Sequence, residues 1–417
     1  MSNIIKTEDI IIAASLLKGV AKRTPTEFNI NYSEQHQASI YFKREDLQIV
    51  RSYKLRGAYN KIVNLSDEEK AGGIVCASAG NHAQGVAYSC YKLNIQGTIF
   101  MPTTTPKQKV NQVKLFGKNN IDIILSGDTF DDSNKEAVNF CSSQNATYVH
   151  PFDDKKVIEG QGTVALEILE DINEEIDYLF LPIGGGGLSA GVISYFKKIS
   201  PKTKIIGVEP AGAPSMKTSL EQNKIVKLNN IDKFVDGAAV QQVGTLNFEI
   251  CKNNFHEVIA IPEGQICSTI IKLYNEEAIV VEPAGALSIA ALQEYNEKIE
   301  NKNVVCIVTG SNNDIGRMQE IKERSLLFEE LKYYFLIDFP QRPGALKEFV
   351  AEVLGPNDDI TLFEYAKKNI KESGPALVGI ELKNKSDFSS LIERMKKKEV
   401  KFSIVNENKT LFDYLIL

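Results

Sequence analysis

Four short segments of this sequence combine residue types that can do chemistry with spacings that put them at element ends. Lys54 stands in Arg51-Ser-Tyr-Lys54-Leu-Arg56-Gly57-Ala. Its amine is either an ordinary solvated helix group or, if partly desolvated, a nucleophile that forms a Schiff base with a cofactor aldehyde. Cys76-Ala-Ser78-Ala79-Gly80-Asn81-His82-Ala-Gln-Gly85 reads as a strand running into a helix. Ser78 and Asn81 are N-cap types and Gly80 permits close backbone approach. The segment is therefore a plain cap or an anion site for a substrate carboxylate. His82, a lone helix-start histidine, is more often structural than catalytic.

The third segment is Leu181-Pro-Ile-Gly184-Gly185-Gly186-Gly187-Leu188. Four consecutive glycines between a strand and a helix expose successive N–H groups and let a phosphate approach the backbone. Gly185-x-Gly187-x-x-Ala190 also fits the dinucleotide fingerprint, with Glu209 ending the next strand where a ribose-binding acid belongs. A nicotinamide oxidoreductase is thus a second function class. The fourth segment, Val308-Thr309-Gly310-Ser311-Asn312-Asn313, ends another strand. Ser311 or Asn313 caps a helix there, or the Ser311 hydroxyl meets a ring nitrogen.

The elements that must position these residues follow from apolar periodicity. Short β-rich runs at Gly73–Ala77, Gly97–Met101, Ile121–Leu125, Tyr178–Ile183 and Lys204–Val208 alternate with stretches of three- and four-residue apolar spacing. Those helices are Asn81–Leu93, Pro106–Phe116, Asp128–Ser143, Lys156–Asp171 and Leu188–Ile199. Val258–Ile261, helices over 263–280 and 284–298, and Val304–Val308 repeat the pattern. Such alternation predicts an α/β fold of parallel sheets covered by helices. Past a charged helix at Glu320–Lys332, residues 333–417 read strand, helix, strand, strand, helix, strand: Tyr333–Asp338, Pro343–Leu354, Ile360–Lys367, Ala376–Leu382, Asp387–Lys398 and Lys401–Val405. That order is a ferredoxin-like sandwich. Residues 1–325 form the expected catalytic region of two interleaved domains, the smaller at about 55–150.

Composition removes other classes. Lys plus Arg is 48 against 54 Asp plus Glu, a net charge of −6, which argues against nucleic acid as a partner. The cysteines at 76, 90, 141, 251, 267 and 306 form no CxxC pair, and histidines at 36, 82, 150 and 256 add no zinc spacing, so no metal site is expected. Isolated thiols suit a reducing compartment. The first residues read as a helix and not a signal peptide, and no run approaches a membrane span, so the expected location is the cytoplasm.

Taken together and in order, Ser52-Tyr-Lys54-Leu-Arg-Gly-Ala, Ser78-Ala-Gly-Asn81-His-Ala-Gln-Gly, Gly184–Leu188 and Gly310-Ser311-Asn resemble the pyridoxal-phosphate β-eliminating enzymes of the tryptophan-synthase β fold (fold type II). The biosynthetic threonine dehydratases, or threonine ammonia-lyases, are the best match, and residues 333–417 resemble their ACT-like regulatory domain. The resemblance implies pyridoxal 5'-phosphate held by Lys54, which also serves as the base. It places the cofactor phosphate on Gly184, Gly185, Gly186, Gly187 and Leu188, its phenolic oxygen at Asn81 and its pyridine nitrogen at Ser311. It puts the substrate carboxylate on Ser78, Ala79, Gly80, Asn81 and His82. Glu282 is a further candidate near the ring. L-Threonine, and L-serine beside it, are the implied substrates; isoleucine and valine are the implied effectors, and a homotetramer the implied assembly. A degradative serine/threonine dehydratase or a serine racemase is the rival within the family. The turn Glu209-Pro-Ala-Gly-Ala213-Pro-Ser215 lacks the second acid of metal-dependent relatives, which leaves carbonyls for a monovalent cation at most.

Overall fold

A computed structural model describes residues 5–365 and 372–416. The chain divides into two compact units, Met1–Ile315 and Gly316–Leu417. The first unit holds two sheets. A six-stranded sheet runs in the order Thr26–Phe28, Ser39–Arg44, Asn303–Val308, Tyr178–Pro182, Lys204–Pro210 and Glu257–Ile261, parallel throughout except for its first strand. A four-stranded parallel sheet runs Ile121–Leu125, Gly97–Met101, Ile74–Ala77 and Thr147–Tyr148. The central strand Tyr178–Pro182 is buried along its whole length, the mark of a parallel strand covered on both faces. One core joins the helices Lys155–Asp171 and Gly187–Ile199 to the large sheet through Ile168, Leu179, Leu181, Phe196 and Val305. A second core packs Ile74, Cys76, Val86, Ile99 and Met101 beneath the helix Asn81–Leu93. Because residues 26–44 pair with strands from 178–308, the small sheet is a sequence insertion within the large one.

Helix Asn81–Leu93 has the bounds its periodicity predicts, and most other elements shift by a residue or two. Three differences have physical causes. The strand Ser39–Arg44 escapes sequence reading because its Lys43 is fully buried, donating to the Glu167 carboxylate and to the Thr24 carbonyl. The helix expected from Asp128 begins at Phe130, because Thr129 and Asp132 form a reciprocal capping box. The helix expected over 284–298 stops at Ala290 and tightens into a 3-10 turn over Ala291–Tyr295. There the buried Tyr295 ring meets Phe180 edge-on at 5.2 Å and its hydroxyl bonds Glu257.

The second unit is an antiparallel sheet in the order Asp359–Tyr365, Ser373–Glu381, Lys332–Pro340 and Phe402–Ile404. The last residues of the strand expected over Ile360–Lys367 lie outside the described residues. One sheet face packs Phe335, Ile337, Val378 and Ile380 with Phe349, Leu391 and Met395, from the helices Ala345–Glu352 and Asp387–Lys397. The other face packs Tyr334, Leu377 and Val405 with Leu327 of the helix Met318–Phe328 and Phe412 of the helix Lys409–Leu415. Gly344, at φ +85°, is the N-cap of Ala345–Glu352, so Pro343 precedes the helix instead of opening it. Among the described residues no helix is long and apolar enough to cross a membrane.

Candidate active site

The sequence-predicted residues sit at the carboxyl ends of parallel strands, where helix N-termini gather in open α/β sheets. Ser78 follows the strand Ile74–Ala77, Gly184 follows Tyr178–Pro182, and Ser311 follows Asn303–Val308. Lys54 is the first residue of the helix Lys54–Val63. The loop before it is laced to the end of the strand Asn303–Val308. The N–H of Tyr53 donates to the Thr309 carbonyl at 3.3 Å, that of Ser311 to the Arg51 carbonyl at 3.0 Å, and Ser52 bridges Gly310. Backbone pairing therefore brings Lys54 and Ser311 into one site.

The Lys54 amine is not a solvated helix group. It donates to the Pro151 carbonyl at 2.8 Å. Burial lowers its pKa to about 8, against the opposing pull of Glu282, so a useful fraction is free base near neutral pH. Residues 149–154, to which the sequence reading assigned no role, form the floor of the site. Val149 offers its carbonyl to His82 Nε2 at 2.9 Å. His150 Nδ1 accepts from the N–H groups of Phe152 and Asp153. The Asp153 carboxylate accepts from the N–H groups of Thr245 and Leu246, and Asp154 caps Lys155–Asp171. His82 is thus pinned as a neutral Nε2–H donor; burial, reinforced by Lys54, pushes its pKa down to about 3. Its ring is a structural pin, and any anion at this helix start meets backbone N–H groups.

Neither Ser78 nor Asn81 caps the helix. Gly80 is the N-cap, and Ser78 Oγ accepts from the Gly80 N–H at 3.2 Å. Asn81 instead donates from Nδ2 to Glu282 Oε1 at 2.6 Å and accepts at Oδ1 from Asn312 Nδ2 at 2.7 Å. The first N–H groups of the helix have no intrahelical partner, and a side chain added at Gly80 would meet open space. The glycine turn opens Gly187–Ile199, with Gly186 at φ +90°. The Phe152 ring lies against Gly185 so closely that an added Cβ would stand 2.3 Å from it. The Ser311 hydroxyl donates to the Asp46 carbonyl at 3.1 Å. No helix starts near it, since a 3-10 turn at Ile315–Arg317 precedes Met318–Phe328, so the capping account of Ser311 fails.

Buried Ser52 Oγ, His82 Nδ1, Asn247 Oδ1 and Asn312 Oδ1 lack a hydrogen-bond partner. Buried polar atoms are nearly always paired in native proteins. Four such atoms beside Lys54 and the glycine turn therefore fit a cleft built around a polar, phosphorylated group. Glu209 does not serve as a ribose acid. Its carboxylate accepts from the N–H groups of Met216 and Lys217 at the start of Ser215–Glu221, and burial raises its pKa to about 7.

Two residues beyond Lys54, Arg56 anchors the same helix. Its buried guanidinium binds both oxygens of Glu45 at 2.7 and 2.8 Å and both oxygens of Glu167 at 2.7 and 2.8 Å, with Thr163 at 3.0 Å. Burial alone would push the Glu45 carboxyl up, but the Arg56 and Lys43 charges hold it below its usual range. Arg56→Ala strands a buried carboxylate, and should lower unfolding free energy by about 3–5 kcal/mol, measurable by urea titration. No signal in the local sequence pattern marks Lys43, Glu45, Glu167 or Asn247; Asn312 lies in the Gly310-Ser311-Asn motif, but nothing there gives it a role.

Known protein families match both units of the chain. A family model described as pyridoxal-phosphate dependent enzyme matches residues 17–310, and one described as the C-terminal regulatory domain of threonine dehydratase matches residues 323–415. The chain is 57% identical over 412 residues to L-threonine dehydratase biosynthetic IlvA of Halalkalibacterium halodurans, covering 99% of each chain. It is 57% identical over 415 residues to the Bacillus subtilis protein of the same name, covering 100% of this chain and 98% of that one. Among solved structures, the processed form of threonine deaminase isoform 2 from Solanum lycopersicum matches with TM-score 0.74 and 41% identity, over 77% of this chain and 88% of that one. Serine racemase from Dictyostelium discoideum matches with TM-score 0.69 and 31% identity, over 75% of this chain and all of that one.

Proposed function

Since the chain belongs to the pyridoxal-phosphate-dependent biosynthetic threonine dehydratase family, with that family's C-terminal regulatory domain, we propose that it converts L-threonine to 2-oxobutanoate and ammonia, the committing step toward isoleucine. The observation that carries this reading is the desolvated Lys54 amine held in one cleft with the glycine turn and the Ser78–His82 helix start.

When bound, pyridoxal phosphate supplies an aldehyde for amines and a conjugated ring that withdraws electrons from the substrate α-carbon. The chain's own residues do the rest. The N–H groups of Gly184, Gly185, Gly186, Gly187 and Leu188 receive the phosphate, aided by the partial positive charge of the helix start. The Ser78–His82 N–H groups hold the substrate carboxylate and so fix which face presents its α-proton. Lys54, whose amine is lowered to about pKa 8, accepts that proton. Ser311 would meet the ring nitrogen with a neutral hydroxyl, its proton turned from the Asp46 carbonyl, where a carboxylate would stabilise a proton; it would therefore favour loss of the β-hydroxyl over chemistry that needs a strongly electron-withdrawing ring. L-Serine fits the same contacts minus one methyl group. The enamine released by dehydration hydrolyses to the oxo acid and ammonia.

For the second unit, residues 316–417, the reading is an amino-acid sensor that takes isoleucine as inhibitor and valine as its opponent, in a homotetramer working in the cytoplasm without a metal. The regulatory-domain match and six cysteines that form no disulfide support it. The test is direct: purified protein should show a visible absorption band on adding pyridoxal phosphate, and form 2-oxobutanoate from threonine in a reaction slowed by isoleucine. A colourless, inactive protein would remove the reading. Gly185→Ala should weaken cofactor affinity about tenfold or more, because its methyl group must displace the Phe152 ring. Fluorescence titration of the apoprotein with cofactor measures that loss.

A further inference from the structure

Glu282 is a buried acid that the mechanism above does not use. It is the N-cap of the helix Pro283–Ala290, yet its side chain makes no capping hydrogen bond there. Its N–H donates to the Gly310 carbonyl at 3.1 Å, pinning it to the strand end that carries Ser311. Its Oε1 accepts from Asn81 Nδ2 at 2.6 Å and its Oε2 from the Asn312 N–H at 3.2 Å. Asn312 closes the ring of contacts, donating from Nδ2 to Asn81 Oδ1 at 2.7 Å and to the Val50 carbonyl at 2.9 Å. Glycine on two sides makes room for this carboxylate, since a Cβ at Gly310 would stand 2.6 Å from Oε1 and one at Gly237 3.3 Å from it.

An asparagine amide can face a ligand with either end, and the two ends have opposite polarity. Here the carbonyl of Asn81 is occupied by a donor and one N–H by an acceptor, which leaves the second N–H as the group still on offer. We infer that Glu282 is a positioning residue: its carboxylate, with Asn312 on the opposite side, fixes the Asn81 amide so that an N–H, and not the carbonyl, meets the cofactor's phenolic oxygen. This rests on the cofactor placement proposed above. A wrongly turned amide would set a carbonyl oxygen against a phenolate, a repulsive contact where a charge-assisted hydrogen bond should be.

The experiment is a double-mutant cycle on the holoenzyme with Glu282→Gln and Asn81→Ala. Glu282→Gln keeps the shape but places an amide where two N–H groups need acceptors. It should weaken pyridoxal-phosphate affinity about ten- to a hundredfold, shift the visible absorption maximum, and lower kcat more than it raises KM for threonine. In the Asn81→Ala background the same substitution should change affinity and absorption little further. Should the two losses multiply as independent factors, Glu282 does not act through Asn81 and the inference falls. If Glu282→Gln does not fold, Asn312→Ala asks the same question, since it frees the other end of the amide and must also be non-additive with Asn81→Ala. Absence of a visible band in the wild-type protein would instead overturn the cofactor reading, so the two failures are distinct.

Discussion

Lys54→Ala is expected to give a folded, colourless protein whose threonine turnover falls by at least about 10²–10⁴-fold, the range for removing a positioned proton-transfer group. Folding survives because alanine is the best helix former, and the hydrogen bond to the Pro151 carbonyl is the one the side chain gives up. Lys54→Arg should not rescue turnover, since a guanidinium stays protonated and cannot act as base. The wild-type pH dependence carries the same signature. Burial lowers the amine to about pKa 8, so its free-base fraction grows as pH rises toward that value and levels off above it. Reconstitution of apoprotein with pyridoxal phosphate, a reaction of the free amine, should therefore accelerate along that limb. Glu282 opposes the shift, so removing its charge in Glu282→Gln should move the limb to lower pH. Stopped-flow absorbance against pH checks both points, and turnover persisting in Lys54→Ala would refute the assignment.

The contrast between Lys54 and Arg56 explains how much of the site was legible beforehand. Lys54, Ser78, the four glycines and Ser311 announce themselves because each lies in a short local pattern at an element end. What holds them together is written in no such pattern. Lys54 meets Pro151 across 97 positions, Asn81 meets Glu282 across 201, and Asn312 meets Asn81 across 231. Pro151 lies in no such pattern, and although Asn81, Glu282 and Asn312 lie in segments that stand out, their pairing appears only when the sheets close. Buried charges misled the reading in the same way. Lys43 and Glu45 look like surface residues, yet they belong to the web that grips Arg56, and a strand with a lysine on its buried face does not read as a strand. Capping chemistry was legible in kind but not in place: Ser78 and Asn81 are cap types recruited to a turn and to a hydrogen-bonded amide, while Gly80 took the cap position.

Truncation is expected to separate catalysis from control, and the structure decides where the cut belongs. A protein ending at Ile315 should dehydrate threonine and ignore isoleucine, whereas the full chain should lose activity by about 5- to 150-fold as isoleucine is titrated, the usual span of a coupling between two sites. Ending at residue 332 instead, just before the strand read from Tyr333, would keep the helix Met318–Phe328 without its partners. Leu327 of that helix packs on the sheet with Tyr334, Leu377 and Val405, and Glu323 takes hydrogen bonds from the Tyr334 hydroxyl and the Lys332 amine, both at 2.5 Å. Cut there, the helix would expose that apolar face, and the protein should be less soluble than the shorter one. The helix thus folds with the second unit, although in sequence it reads as the charged end of the first. Steady-state turnover of both truncations and the full chain, each with and without isoleucine, supplies the comparison. Inhibition persisting in the protein that ends at Ile315 would place the effector site in the catalytic unit, and with it the reason for the extra hundred residues would have to be sought in assembly instead of in sensing.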